Sequence, residues 1–188
     1  MKNFKISDIL KPVIVLTAIC LVTSGLLAYT NSLTAPVIEE NNIAAANATK
    51  AVVLADAKNF TDESKGDISY SVGTDASGAV AGYVFTTTAK SYGGEISVMV
   101  GIKADGTVSG VELLSINDTP GLGMNAKNPD FLAQFIGKIT GIAVNKNNPG
   151  ENEIKALTGA TVTSKAVTLA VNTALDYYAE VTGGVNNG

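Results

Sequence analysis

The chain has 188 residues, of which 46% are hydrophobic and 16% charged, enough apolar material for one ordinary domain and an appendage. It contains no histidine, tryptophan or arginine, and Cys20 is its single cysteine. Without histidine the chain cannot assemble a Ser–His–Asp or Cys–His device, and a zinc site would need carboxylate ligands alone. Any redox chemistry must therefore come from a bound cofactor.

An apolar segment near the N-terminus predicts one transmembrane helix at residues 12–33. No charged residue occurs there, and at roughly 1.5 Å per residue it spans a hydrocarbon core of about 30 Å. A cleaved signal peptide also starts with basic residues, but its apolar run covers only about 7–15 residues, and no A-x-A site follows here. Lysines precede the segment and Glu39 and Glu40 follow it. The positive-inside rule thus predicts a cytoplasmic tail at residues 1–11 and an extracytoplasmic remainder, a single-pass protein of the cell membrane.

The charge beyond the apolar segment narrows the choice of partners. From Glu39 onward the chain carries 16 acidic residues and 10 lysines, a net charge of −6. That balance argues against binding to nucleic acid or to anionic lipid. Residues 34–60 begin alanine-rich with acidic residues first, which predicts a membrane-proximal helical linker before a domain at residues 61–188.

The patterns in residues 61–188 predict an α+β fold, an antiparallel sheet packed with helices. Strand-like runs occur at residues 68–72, 80–87, 96–102, 108–114 and 139–144. Asp105-Gly106 marks a hairpin turn between two of them. Asn128-Pro129 predicts the start of a short helix. Apolar residues at helical spacing from Val162 predict a final helix over residues 162–181, packed on the sheet.

Two glycine-containing loops flank these strands. The first is Tyr92-Gly93-Gly94, where glycines allow a backbone to approach a ligand or simply to enter a strand tightly. The second is Asp118-Thr119-Pro120-Gly121-Leu122-Gly123. Its Pro-Gly pair predicts a rigid turn, which either displays Leu122 to a flat aromatic ligand or folds Leu122 into the core.

A third loop, Thr158-Gly159-Ala160-Thr161-Val162-Thr163-Ser164, opens the final helix. Thr161, Thr163 or Ser164 could each cap that helix, but one cap suffices. The remaining hydroxyls are either redundant or belong to an anion site. Free amides and the positive dipole end of a helix favour a phosphate, and Gly159 and Ala160 would let it come close.

The three loops, in this order behind an N-terminal anchor, resemble the FMN-binding domain family. The likeness is closest to the G subunit of the Rnf-type ion-translocating electron-transport complex and covers nearly the whole chain. It implies that Thr161 carries FMN covalently through a phosphoester, made by a separate FAD-dependent flavin transferase. It also implies that the other two loops surround the flavin: Leu122 and Pro120 would pack on the ring, the glycines would bond it, and Thr119 or Asp118 would tune it.

Two positions depart from the family pattern. Lys155 stands six residues before Thr161, where the family usually has aspartate, and Glu153 offers a nearby carboxylate instead. Asp118 replaces the usual glutamate before Thr-Pro-Gly-Leu-Gly, which keeps the charge and shortens the reach.

The resemblance implies a membrane-anchored electron carrier whose partners are the other membrane subunits of a complex that moves Na⁺ or H⁺ during ferredoxin–NAD electron transfer. Such a chain would turn over no substrate alone. The alternatives are the C subunit of a Na⁺-translocating NADH:quinone reductase, a stand-alone extracellular electron-transfer flavoprotein, and a non-redox binding module whose hydroxyl cluster only caps a helix.

Overall fold

Helix α1 opens the computed structural model, which describes residues 6–183. It runs from Ile6 to Val53, and the chain divides into two units with the boundary after Ala45. Within the first unit, Val13–Ser32 has a mean hydropathy of 2.1 and no buried residue. By length and composition this is, among the described residues, the one stretch that could cross a membrane. The helix stops at Val53, so the predicted linker over residues 34–60 is helical for only part of its length.

The second unit is built on a five-stranded antiparallel sheet whose strand order follows the chain, β1-β2-β3-β4-β5. This confirms the predicted α+β class. The strands are β1 (Asn59–Lys65), β2 (Ile68–Thr74), β3 (Val80–Lys90), β4 (Glu95–Lys103) and β5 (Val108–Ser115). Strand β1 was not predicted, because six of its seven residues are exposed and no apolar alternation marks it.

Shorter elements connect β5 to the last helix. A 3-10 helix (Gly123–Lys127) leads into α2 (Pro129–Leu132), where Asn128 Oδ1 accepts the amide of Asp130 as predicted for an N-cap. A second 3-10 turn, Ala133–Phe135, follows. The predicted strand at 139–144 contracts to β6 (Ala143–Asn145), which pairs in parallel with β7 (Glu153–Lys155). Helix α3 then runs from Thr161 to Thr182.

The main core lies between α3 and one face of the sheet. Alternate residues of β4 point into it, and all are fully buried: Ile96, Val98, Val100 and Ile102. Helix α3 packs there with small side chains such as Ala166, Ala170 and Ala174, which let it lie close enough for Thr87 Oγ1 on β3 to donate to the carbonyl of Ala170 at 2.9 Å.

The opposite face of the sheet receives the C-terminal end of α1. Val53 and Leu54 are buried there, and Ser109 Oγ donates a 2.5 Å hydrogen bond to the Val53 carbonyl. Glycines provide the space: a Cβ on Gly101 would lie 2.2 Å from the Val53 oxygen, and one on Gly110 would lie 2.8 Å from its Cα. Backbone therefore packs on backbone at this contact.

Candidate functional site

Topology brings three loops to one end of the sheet. Strands β3 and β5 both pair antiparallel with β4, so they point the same way and their C-terminal ends lie at the same end of the sheet, on either side of β4. Residues 91–94 follow β3, and residues 116–123 follow β5. The loop at residues 156–160 leads into α3 beside them, and residues from all three loops line a common cleft.

The carboxylate of Asp118 joins these loops. Its Oδ2 accepts hydrogen bonds of 2.5 Å from Ser91 Oγ and from Thr163 Oγ1. Its Oδ1 accepts a 2.6 Å bond from the amide of Gly93. Asp118, Ser91 and Thr163 are all buried, so one side chain is bonded to the loop after β3 and to the first turn of α3.

These contacts keep Asp118 ionised. Burial raises the pKa of its carboxyl, but the hydrogen bonds from Ser91, Thr163 and the amides of Gly93 and Tyr92 lower it, and the net pKa lies below the ordinary value of 3.8. The site thus holds a fixed negative charge at neutral pH, stabilised by donors that all face it.

Two glycines allow the loops to come this close. A Cβ on Gly93 would lie 2.2 Å from the carbonyl oxygen of Asn117. A Cβ on Gly123 would lie 2.5 Å from Cβ of Asp118 and 2.7 Å from Thr163 Oγ1. At either position an added Cβ would lie closer to its neighbours than real Cβ atoms do, so both positions require glycine.

The turn after Asp118 presents Leu122 to the cleft. The amide of Leu122 donates to the carbonyl of Thr119 at 3.2 Å, and Gly121 has φ +77°, as a type II turn requires at its third position. The side chain of Leu122 is 44% exposed rather than folded into the core. Gly159, in the loop before α3, lies beside Leu122: its φ is +75°, and a Cβ there would lie 3.1 Å from Cδ2 of Leu122.

The cleft has a volume of about 490 Å³, within the range of small-molecule sites. Its lining is largely apolar or backbone with a few hydroxyls, and none of the described lining residues is basic. The lining residues are Tyr92, Asp118, Thr119, Leu122, Gly123, Gly159, Ala160, Thr161, Val162 and Thr163.

The four hydroxyls near the start of α3 have different environments. Thr163 is bonded to Asp118. Ser164 Oγ donates to the carbonyl of Ala160 and accepts the amide of Leu157. Thr161 is half-buried in the cleft, and among the residues described no group hydrogen-bonds its hydroxyl. Thr158 is exposed and does not line the cleft.

The expected hydroxyl cap on α3 was wrong. The N-cap position is Ala160, and no side chain caps it; Thr163 and Ser164 lie inside the helix. The first helical hydrogen bond runs from Ser164 N to the carbonyl of Ala160 at 3.0 Å. The amides of residues 161–163 therefore have no carbonyl partner within the helix and remain available at its positive end.

Known protein families match two parts of the chain. The FMN-binding domain model matches residues 91–176, which include the cleft. The RnfG N-terminal region model matches residues 1–53, which include the whole of α1.

Two relatives that match this chain over most of their length identify its family. The chain is 34% identical over 170 residues to the G subunit of the proton-translocating ferredoxin:NAD(+) oxidoreductase complex of Clostridium ljungdahlii, covering 90% of this chain and 91% of that one. It is 33% identical over 184 residues to the G subunit of the Na(+)-translocating complex of Acetobacterium woodii, covering 88% and 89%. This chain belongs to the RnfG family. The predicted resemblance is thereby confirmed.

Solved structures support the fold of this RnfG-family protein. The crystal structure of Shewanella oneidensis NqrC superposes with a TM-score of 0.54 over 69% of this chain and 73% of that one, at 20% identity. At that identity the likeness concerns the fold alone.

The structure brings most of the predicted site residues of this RnfG-family protein together, but not all. Nine of them line the cleft. Six others lie nearby without lining it: Gly93, Gly94, Pro120, Gly121, Thr158 and Ser164. The amide of Gly93, expected to bond the flavin, is already taken by Asp118, and Ser164 is fully buried.

Sequence reasoning missed two residues of the site. Ser91 directly precedes the Tyr-Gly-Gly loop, and its small hydroxyl was the one signal in the sequence. Val162 was assigned to the core-facing stripe of the last helix, which is wrong: it is 54% exposed and lines the cleft. The helix starts one residue earlier than predicted, and Val162 faces the loops instead of the sheet.

The structure also shows the surroundings of Lys155, which departs from the family pattern, and of Glu153, the nearby carboxylate. Lys155 is exposed on β7, and its backbone amide donates to Oε1 of Gln134 at 2.7 Å. Oε2 of Glu153 accepts from the amide of Gly150 and from Nδ2 of Asn145. Glu153 is thus bound to its own loop.

Proposed function

We propose that this RnfG-family protein is a membrane-anchored electron carrier that holds FMN in the cleft, attached to Thr161 through a phosphoester. It would pass electrons between other subunits of an ion-translocating ferredoxin:NAD(+) oxidoreductase complex, the kind of complex of which its relatives are named as G subunits. The observation that carries the proposal is Thr161: it lines the cleft, its hydroxyl has no hydrogen-bond partner among the described residues, and it lies within the matched FMN-binding region.

The start of α3 suits a phosphate on Thr161. The free amides of residues 161–163 can donate to phosphate oxygens, and the helix dipole places about half a positive charge there. Since no described lining residue is basic, these amides are the neutralising groups at hand. A phosphodiester retains one negative charge, which matches this modest positive potential.

The opposite wall of the cleft suits a flat ring. Leu122 offers an exposed apolar side chain to the cleft, and Gly159 lies close beside it, where a Cβ would come within 3.1 Å of Cδ2 of Leu122. Tyr92, 77% exposed, stands at the rim. FMN in this position would supply reversible uptake and release of electrons, while the side chains hold the ring and limit its contact with water.

Attachment requires a separate enzyme in this scheme. The Thr161 oxygen would form a bond to the phosphorus of the FMN half of FAD, and the phosphoanhydride would break to release AMP. The threonine proton needs a base, and the chain has no histidine. The Asp118 carboxylate already accepts three hydrogen bonds, so a flavin transferase would supply the base.

Denaturing gel fluorescence tests the linkage. The full-length chain would be co-expressed with a flavin transferase and extracted in detergent. We expect a fluorescent band and an intact mass increased by FMN less one water. Thr161→Ala should abolish both signals, and Thr161→Ser should keep them because it keeps the hydroxyl. Thr61→Ala is the control, an exposed threonine on strand β1 that does not line the cleft.

The outcomes separate this function from its rival. A dark wild-type band, or a fluorescent Thr161→Ala band, would rule out the linkage at Thr161. A colourless wild type would favour the non-redox binding module. A band confined to variants that retain a hydroxyl at position 161 would support the carrier.

We further propose that residues 12–33 anchor the chain, with the N-terminus in the cytoplasm and the cleft outside. Accessibility labelling tests the orientation in a Cys20→Ser background. Ala76→Cys lies in the exposed turn between β2 and β3, so a membrane-impermeant maleimide should label it in intact cells. Labelling only after permeabilisation would place the domain in the cytoplasm.

A further inference from the structure

The carboxylate of Asp118 accepts hydrogen bonds from two separate parts of the site, the loop after β3 and the first turn of α3. We propose that Asp118 is a positioning residue, whose buried carboxylate holds the loop after β3 and the first turn of α3 in register and makes the bound flavin harder to reduce. The first half of this inference stands on the protein alone, and the second half rests on the proposed function.

The positioning half follows from the hydrogen bonds. Thr163 lies two residues after Thr161 in the same helical turn, so fixing Thr163 also fixes the backbone from which the Thr161 side chain projects. The bond from Thr163 Oγ1 to Asp118 fixes that turn. The bonds from Ser91 Oγ and Gly93 N to the same carboxylate fix the loop that carries Tyr92.

Packing makes this arrangement stiff. Asp118 is 3% exposed, and Gly123 packs so closely against it that a Cβ at Gly123 would lie 2.5 Å from Cβ and 2.7 Å from Oδ2 of Asp118. The two walls of the cleft are therefore set before any ligand arrives, which lowers the entropy lost when a ligand is held.

The electrostatic half follows from the charge. Asp118 lines the cleft, and none of the described residues lining it is basic to offset that charge. Interactions between charges are stronger at a buried site than in water. Adding electrons to a flavin in this cleft would add negative charge near a fixed carboxylate, so reduction becomes less favourable.

Hydrogen–deuterium exchange on the full-length, flavin-free protein tests the positioning half. Asp118→Ala should raise amide exchange in residues 91–94 and 164–167 together, the second segment holding the first amides of α3 that are hydrogen-bonded within the helix. Ser91→Ala should affect chiefly the first segment and Thr163→Val chiefly the second, because each removes one link. Asp75→Asn is the matched control: Asp75 also accepts several local bonds, but the eleven residues of β3 separate it from Ser91. Protection that survives Asp118→Ala in either segment would overturn this half.

The midpoint potential of the flavin-loaded protein, measured by spectroelectrochemical titration, tests the electrostatic half. Asp118→Asn removes the charge at nearly constant shape and should raise the potential. Asp118→Glu keeps the charge and should return the potential toward the wild-type value, and Asp75→Asn should not change it. An unchanged or lower potential in Asp118→Asn would overturn the electrostatic half.

Failure of the proposed function has a different signature. If the wild type takes up no flavin, both the proposed covalent attachment of FMN and the proposed effect of Asp118 on its reduction are wrong. The exchange experiment needs no flavin, so it decides the positioning half either way.

Discussion

Oγ1 of Thr163 donates a 2.5 Å hydrogen bond to Oδ2 of Asp118, and both side chains are buried. The bond connects the first turn of α3 to the loop after β5, 45 residues earlier in the chain. Because Thr161 shares that turn, the geometry of the proposed attachment point depends on this contact between two buried residues of the cleft wall.

Thr163→Val should destabilise the protein. Valine has the shape of threonine, but it leaves the buried carboxylate short of one donor, a loss of about 1–3 kcal/mol. Urea unfolding of the full-length protein in detergent, followed by tyrosine fluorescence, measures the effect. Thr173→Val is the control on the same helix: its hydroxyl bonds only the Leu169 carbonyl at an exposed position, so its effect should stay within about 0.5 kcal/mol. Equal losses for the two variants would contradict the role of the Asp118 bond.

Gly123→Ala should damage both stability and the cleft. The added Cβ would lie 2.5 Å from Cβ of Asp118 and 2.7 Å from Thr163 Oγ1, and neither atom can move without breaking their bond. We expect a loss of about 1–3 kcal/mol, as for other overpacked sites, with weaker flavin fluorescence after co-expression with the transferase. Gly150→Ala is the control, since the nearest atom to its Cβ lies at 3.5 Å. A Gly123→Ala variant as stable as Gly150→Ala would show that the loops are not in close contact.

The sequence predicted the elements whose residues alternate or repeat clearly. Strand β4 alternates Ile96, Val98, Val100 and Ile102 on its buried face, and α3 carries a helical stripe, so local pattern and tertiary burial agree. Strand β1 lacks that agreement, because it is an exposed edge strand whose sequence, NFTDESK, is mostly polar. The parallel pair β6 and β7 has three residues per strand, too few for any period to show.

The site was predictable in its parts but not in its connections. Glycines and hydroxyls marked the three loops. The inward direction of Asp118 could not be inferred, because its partners Ser91 and Thr163 lie 27 and 45 residues away. The prediction of a hydroxyl cap on α3 failed for the same reason, a contact between residues distant in sequence. Thr163 is a reasonable cap candidate by sequence, but its hydroxyl donates to Asp118 instead.

Gly101→Ala should weaken the packing of the C-terminal end of α1 against the sheet. Its Cβ would lie 2.2 Å from the Val53 carbonyl oxygen and 2.6 Å from Ser109 Oγ. Relief would require moving the chain at Val53, which would expose Val53 and Leu54, both buried now. We expect a loss of about 2–3 kcal/mol in the same urea experiment, within the range for overpacking, with Gly150→Ala again as control. An unchanged unfolding midpoint would show that α1 does not dock at this position.

The pH dependence of stability should reveal Asp118. Its folded-state pKa lies below the ordinary 3.8, so below that value the unfolded chain binds more protons than the folded one. Its contribution is therefore fully present above the unfolded pKa and is lost as the pH falls through the folded pKa. Asp62 behaves alike, because hydrogen bonds from Lys50 and Ser71 lower the pKa of its carboxyl.

Urea midpoints measured from about pH 6 down to about pH 3 test this sign. Asp118→Asn should be less stable than the wild type at the upper end and should lose less stability on acidification. Asp62→Asn should show the same shallower slope, and the double variant should be shallower than either, since the two carboxylates lie in separate networks. A wild-type slope in Asp118→Asn would mean that the carboxylate of Asp118 is not held ionised by Ser91, Thr163 and the Gly93 amide.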